Sequence, residues 1–70
     1  MEINFTELRI LVQKAIDSLI TKDKEGTKNR INDARELMEE LTDFADNDRD
    51  LIELSKFRVL LDQLEQKNGD

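Results

Sequence analysis

The chain has 70 residues, of which 37% are apolar and 40% are charged, with a formal net charge of −6. A chain this short cannot divide its apolar residues between two cores, so the sequence predicts a single helical domain over residues 1–70. Histidine, cysteine and tyrosine do not occur. Most catalytic nucleophile–base pairs and most metal-ligand sets use at least one of these residue types. We therefore expect no enzymatic activity, no metal and no cofactor.

The first predicted helix covers residues 5–22. Asn4 and Glu7 have the spacing of a capping box, and Ile3 with Leu8 has the spacing of a hydrophobic staple across it. Apolar residues then recur every three or four positions, which is typical of a helix with one side against a core. The predicted core-facing residues are Phe5, Leu8, Leu11, Val12, Ala15, Ile16, Leu19 and Ile20.

The second predicted helix covers residues 27–45 and follows a polar turn. Gly26 is the predicted left-handed residue that stops the first helix, and Thr27 is the predicted cap of the second. Arg35 and Glu39 are four residues apart, so we expect them to pair on the exposed side. The predicted core-facing residues are Ile31, Ala34, Leu37, Met38, Leu41, Phe44 and Ala45.

The third predicted helix covers residues 48–66, and residues 67–70 are predicted to be a frayed end. Three aspartates and an asparagine within residues 46–50 favour a turn followed by a helix N-cap. Arg58 falls inside the core-facing arc, where its aliphatic part can pack while its charge reaches solvent. The other core-facing residues are Leu51, Leu54, Phe57, Leu60, Leu61 and Leu64.

Three amphipathic helices with short connections predict an all-α, up-down-up three-helix bundle. We expect Val12, Leu41 and Leu61 at the centre of its core. The structural alternative is a dimer of helical hairpins, in which the first helix packs elsewhere.

The apolar residues are too dispersed for a membrane span or a secretory signal. The longest apolar runs have three residues, whereas a transmembrane helix needs about 20. The N-terminal MEINFTEL lacks a basic region followed by an apolar core. We therefore expect a cytoplasmic protein without membrane association.

Most of the net charge lies in residues 36–53, which hold eight acidic residues and one basic residue. On the second helix, like charges at i, i+3, i+4 and i+7 repel one another, and acids near a helix C-terminus oppose its dipole. A run of acidic residues usually serves only to keep the protein soluble. Because these acids lie where they destabilise the helix, however, a docking surface for a basic partner becomes more favoured. This predicted acidic face consists of Glu36, Glu39, Glu40, Asp43, Asp46, Asp48 and Asp50.

Part of this run resembles the spacing of a calcium loop without its essential residues. Asp46, Asp48 and Asp50 fall at positions 1, 3 and 5 of such a loop. Position 6 would be Leu51, where glycine is needed, and position 12 would be Phe57, where a bidentate glutamate is needed. A solvated turn is therefore the preferred interpretation.

Apolar residues outside the core-facing arcs form a second candidate surface. Ile10 lies outside the arc of the first helix, and Ile52 and Val59 share another side of the third. Isolated exposed apolar residues are normal, but together these three could form the seam of a homodimer or a contact with another protein.

These surfaces lead to two functional hypotheses. The first is a non-enzymatic inhibitor or modulator that docks its acidic face on a basic surface of a larger protein. By analogy with other very small acidic helical proteins, including phage proteins, that surface would be one meant for nucleic acid. The second is an assembly bundle that uses the apolar residues. Basic residues are scattered, so we expect no direct nucleic-acid binding.

Overall fold

The periodic apolar residues form three α-helices in the computed structural model, which describes residues 4–69. Helix α1 spans Thr6–Ile20, α2 spans Lys24–Phe44 and α3 spans Asp48–Gly69, and these residues contain no strand. The central helix α2 packs against both neighbours, whereas α1 and α3 touch each other much less. The predicted all-α three-helix bundle is confirmed, and α1 packs on α2 of its own chain rather than elsewhere.

One apolar core lies between the helices. Val12 and Leu61, both predicted at its centre, are 5% and 0% exposed. Leu41 is only half-buried, so its central placement was wrong. It lies three residues before the end of α2 and packs against the edge of the core. The buried apolar residues are Leu8, Val12, Ala15, Ile31, Ala34, Met38, Leu54, Leu61 and Leu64.

Three residues predicted to face the core are exposed because they lie in the end turns of their helices. Ile20 is the last residue of α1 and is 71% exposed, and Phe44 is the last residue of α2 and is 68% exposed. Leu51, in the first turn of α3, is 44% exposed. The helical period gives each of them the correct side, but the neighbouring helices do not cover these ends.

The turn between α1 and α2 differs from the prediction. Lys22, and not Gly26, has the positive φ of 61°. The amide of Lys22 donates to the carbonyl of Leu19, and the amide of Asp23 donates to that of Ser18, which together form a Schellman ending. Gly26 already belongs to α2, where its amide donates to the side chain of Asp23 at 3.0 Å.

Asp23, rather than Thr27, is therefore the N-cap of α2. Thr27 is fully buried, and its hydroxyl donates to the carbonyl of Asp23 at 2.8 Å. The hydroxyl is thereby satisfied inside the bundle, and Thr27 serves as a core residue one turn beyond the cap. Helix α2 consequently begins at Lys24 instead of residue 27.

The outer ends of the bundle also differ from the predicted bounds. Helix α1 begins at Thr6, whose amide donates to the side chain of Asn4 at 2.9 Å. The predicted partner of Leu8 in a staple, Ile3, lies outside the described residues. Helix α3 begins as predicted at Asp48 but continues to Gly69, three residues beyond the predicted end, and Asn68 donates to the carbonyl of Lys24 at 3.0 Å. Fraying of residues 67–69 stays a prediction, and residue 70 lies outside the described range.

Candidate protein-interaction surface

The acidic face extends from the second half of α2 through the following turn into α3. Glu36, Glu39, Glu40 and Asp43 are exposed on α2, and Asp46 is exposed in the turn. In the first turn of α3, Asp48 is exposed and Asp50 is half-buried. All seven predicted residues therefore lie in two helical segments and the turn that joins them.

The acids of α3 have a structural explanation that those of α2 lack. Asp48 and Asp50 lie in the first turn of α3, where a negative charge interacts favourably with the helix dipole. Asn47 caps this end by accepting from the amide of Asp50 at 2.9 Å. The last turn of α2 contains no basic residue, so its acids oppose the dipole without local compensation.

None of the seven acids forms an ion pair within residues 4–69. The ion pairs found there join Arg35 to Asp62 and to Glu65, and Lys56 to Glu53. The predicted pair between Arg35 and Glu39 was wrong because Arg35 points towards α3 instead. The carboxylates of the acidic face are therefore available to a basic partner.

Arg35, Asp62 and Glu65, called the Arg35 cluster below, tie α2 to α3 at one position. One guanidinium nitrogen of Arg35, Nη2, lies 2.7 Å from an oxygen of each carboxylate. The hydrogen bond to Asp62, followed by that to Glu65, raises the pKa of Arg35. The contribution of this raised pKa to the stability of the fold is complete at lower pH. It is lost only as the pH rises through the pKa that Arg35 has in the folded state. Arg35 thus stays charged at neutral pH.

Towards the turn that joins α2 to α3, a groove of about 460 Å³ lies between the two helices and is open to solvent. Met38 and Leu54 are 8% and 4% exposed and contribute its apolar floor. Glu39 and Asp43 line it from α2, and Arg58 lines it from α3. The complete lining of this α2–α3 groove is Met38, Glu39, Thr42, Asp43, Leu51, Leu54, Ser55 and Arg58.

Neither the groove nor a functional role for Arg58 and Phe44 was predicted from the sequence. Arg58, predicted inside the core-facing arc with its charge reaching solvent, is exposed and lines the groove. Phe44 lies four residues after Glu40, so it shares that side of α2 and places an exposed aromatic ring beside the acids. The position of Phe44 at the end of the predicted helix was the sequence signal available for its exposure. The concavity itself depends on the separation of two helices, which no local pattern contains.

The apolar candidates are all exposed and lie on two helices. Ile10, Ile52 and Val59 are 50%, 56% and 55% exposed. Ile52 and Val59 lie about two turns apart on α3, and Ile10 lies on α1. Their use as one contact surface stays a prediction.

The described residues contain neither a helix that could cross a membrane nor a cluster of metal ligands. Among residues 4–69, every helix is too short or too polar to cross a bilayer. The same residues contain no group of three or more side chains placed to hold a metal ion.

No family model, curated protein or solved structure matches the chain. Function is therefore inferred from the surface of the bundle.

Proposed function

We propose that the chain is a small non-enzymatic protein-binding module, an inhibitor or modulator, that docks its acidic face on a basic surface of a larger protein. The observation that carries this proposal is the unpaired acidic group at the end of α2. Glu36 and Glu40, and likewise Glu39 and Asp43, are separated by one turn, and each such pair costs a few tenths of a kcal/mol. A partner rich in lysine and arginine would turn this repulsion into attraction.

The surroundings of these acids support the same proposal. Phe44 is 68% exposed at the end of the acidic part of α2. Aromatic side chains are enriched at protein interfaces, where they provide a large apolar contact at little cost in conformational entropy. A row of carboxylates that ends in an exposed ring offers both long-range attraction and a short-range anchor.

A protein that binds nucleic acid is the kind of partner we propose. Such proteins gather lysine and arginine side chains to neutralise phosphates, which gives them a basic surface. A row of exposed carboxylates on a rigid helix carries the charge that this surface attracts. Occupation of the surface by the chain would then exclude the nucleic acid.

The test compares the wild-type chain with a triple variant, Glu36→Lys, Glu40→Lys and Asp43→Lys. Each immobilised protein captures binding proteins from a lysate of the source cells, and mass spectrometry quantifies them at low and high salt. We expect a basic protein to be captured by the wild type at low salt and lost in the triple variant. High salt should also release it, because it shortens the screening length from about 10 Å at 0.1 M to about 3 Å at 1 M.

The matched control carries the same change in net charge outside the acidic face. Glu7→Lys, Asp17→Lys and Glu25→Lys replace three acids that are exposed on α1 and at the start of α2. This control should retain the partner. Equal loss in the control would mean that net charge alone attracts the protein, and retention by the triple variant would contradict the proposal.

The second candidate function is an assembly bundle that self-associates or joins a larger complex through apolar residues. The observation in its favour is the exposure of Ile52 and Val59 on one side of α3. Apolar contacts are strengthened by salting-out ions, so a complex of this kind should persist at high sulfate concentration. Sedimentation equilibrium of the wild type and of Ile52→Asp would show whether a homodimer forms and whether this side of α3 is its seam.

A further inference from the structure

We infer that the α2–α3 groove receives an apolar side chain from a basic amphipathic helix of the partner. This inference rests on the proposed function, because Glu39 and Asp43 belong both to the acidic face and to the lining of the groove. It adds the secondary structure of the partner segment and the position of its apolar anchor.

The floor and walls of the groove favour an apolar anchor. Met38 and Leu54 are nearly buried beneath it, and Leu51 is 44% exposed at its side. Thr42 and Ser55 each donate their hydroxyl to a carbonyl of their own helix, at 2.8 and 3.0 Å. Because these two hydroxyls are already engaged, an apolar side chain can cover them without leaving either donor unsatisfied.

The acids beside the groove specify the charge of the segment that carries this anchor. Glu39 and Asp43 are one helical turn apart, which corresponds to a rise of about 6 Å. Lysine or arginine residues one turn apart on a partner helix have the same separation and can face both carboxylates. Phosphate groups and acidic segments would be repelled here, so the geometry favours a basic helix over either of them.

Arg58 orients this helix across the groove. It is exposed on the α3 side and forms no ion pair with Glu39 or Asp43 in the described structure. A basic side chain placed above Arg58 would meet a like charge, so the basic edge of the partner helix lies over α2. Its neutral or acidic edge then lies over α3.

The test uses the full chain and two synthetic helical peptides rich in lysine. In one peptide a leucine lies between lysines one turn apart, and in the other a glutamine replaces that leucine. Fluorescence anisotropy measures the affinity of both. Burial of a leucine side chain contributes about 1.5 to 3 kcal/mol, so the leucine peptide should bind at least about tenfold more tightly.

Thr42→Gln should remove this preference by filling the groove from α2 with a neutral side chain. Ser55→Gln fills it from α3 and provides the second variant if the first does not fold, as judged by circular dichroism. Ile52→Gln is the control, because it places the same glutamine side chain on α3 outside the lining of the groove. It should leave the preference for leucine intact. Arg58→Gln should tighten both peptides severalfold by removing the repulsive charge.

The outcomes distinguish failure of the groove inference from failure of the proposed docking of the acidic face. Equal binding of the two peptides, or loss of the leucine preference in Ile52→Gln alone, would overturn the groove inference. If Glu36→Lys and Glu40→Lys still weaken both peptides in that case, the proposed docking of the acidic face stands. If that charge reversal changes neither affinity, the proposed function itself fails, whatever the leucine preference shows. Weaker binding after Arg58→Gln would contradict the inferred orientation, in which Arg58 repels the basic edge of the partner helix.

Discussion

Helices α2 and α3 meet in two different ways along one interface. At the Arg35 cluster, one guanidinium joins two carboxylates at 2.7 Å, and further along Asn68 donates to the backbone of Lys24. At the α2–α3 groove, two acids face solvent without a basic partner in residues 4–69, and apolar side chains are left partly uncovered. The first region is closed by complementary charges, and the second is open.

This difference separates the stabilising part of the interface from its candidate binding part. A bundle of this size has a small stability, because a core in fewer than about 80 residues rarely contributes more than roughly 3 to 5 kcal/mol. Paired charges and covered apolar residues at the closed region help to maintain it. The unpaired acids at the open region lower it slightly, which is understandable if they serve a partner.

The largest expected effect comes from truncating leucines in the two regions. Leu61, beside Asp62 of the Arg35 cluster, is fully buried, so Leu61→Ala should lower the free energy of unfolding by about 2 to 5 kcal/mol. Leu51, at the groove, is 44% exposed, and Leu51→Ala should cost less than about 1 kcal/mol. Urea titration followed by circular dichroism measures both. Equal costs would show that the open region is packed as firmly as the closed one.

A smaller effect is expected from Arg35→Met, which removes the charge and retains an apolar stem. The two carboxylates of the cluster are 61% and 63% exposed, so solvent screens the interaction and the cost should be about 1 kcal/mol. The matched control is Lys56→Met, because Lys56 pairs with Glu53 on the same helix at 3.2 Å. This change should cost only about 0.2 to 0.5 kcal/mol.

Urea titrations at low and high sodium chloride separate charge from packing in this pair of variants. The difference between Arg35→Met and Lys56→Met should shrink as salt screens the cluster. If the two variants cost the same at low salt, the Arg35 cluster does not hold the interface closed. A large cost that is independent of salt would assign the effect to the packed stem of Arg35.

The three helices can be predicted from local sequence patterns. The Arg35 cluster and the α2–α3 groove cannot be predicted in this way. Apolar residues at helical spacing predict three helices and place Val12 and Leu61 in the core. The same spacing offers Arg35 a partner four residues away, Glu39, whereas the structure pairs it with Asp62 on another helix. A local pattern shows which residues share a side of one helix, but the choice among partners depends on where a second helix lies.

The first turn shows a related limit. Glycine adopts positive φ at little cost, so Gly26 was the natural choice for the helix stop. The Schellman hydrogen bonds instead place Lys22 at that position, and Gly26 is used in α2 beside Asp23. A β-carbon at Gly26 would crowd the carboxylate of Asp23, which would have to shift, so glycine at this position favours the close approach of the cap. Gly26 was predicted to stop α1, whereas in the structure it lies beside the cap of α2.

The smallest expected effect compares the same substitution at the two ends of α2. Glu40 has Glu36 and Asp43 as its charged neighbours one turn away and lies near the C-terminus of the helix. Glu40→Gln should therefore raise the free energy of unfolding by about 0.2 to 0.5 kcal/mol. Glu25 lies in the first turn, where a negative charge is favourable, with Lys28 three residues away. Glu25→Gln should lower the free energy of unfolding by a similar amount.

The opposite signs of these two effects distinguish an acidic face that opposes stability from acids that merely increase solubility. Thermal and urea unfolding at low salt measure both changes, and high salt should reduce each of them because the charges are exposed. If Glu40→Gln destabilises the bundle, Glu40 has a favourable partner, and the unpaired character of the acidic face is wrong. If Glu40→Gln stabilises the bundle and also weakens the lysine-rich peptides, the same carboxylate that opposes folding supports binding. That combination is expected of a surface retained for a basic partner.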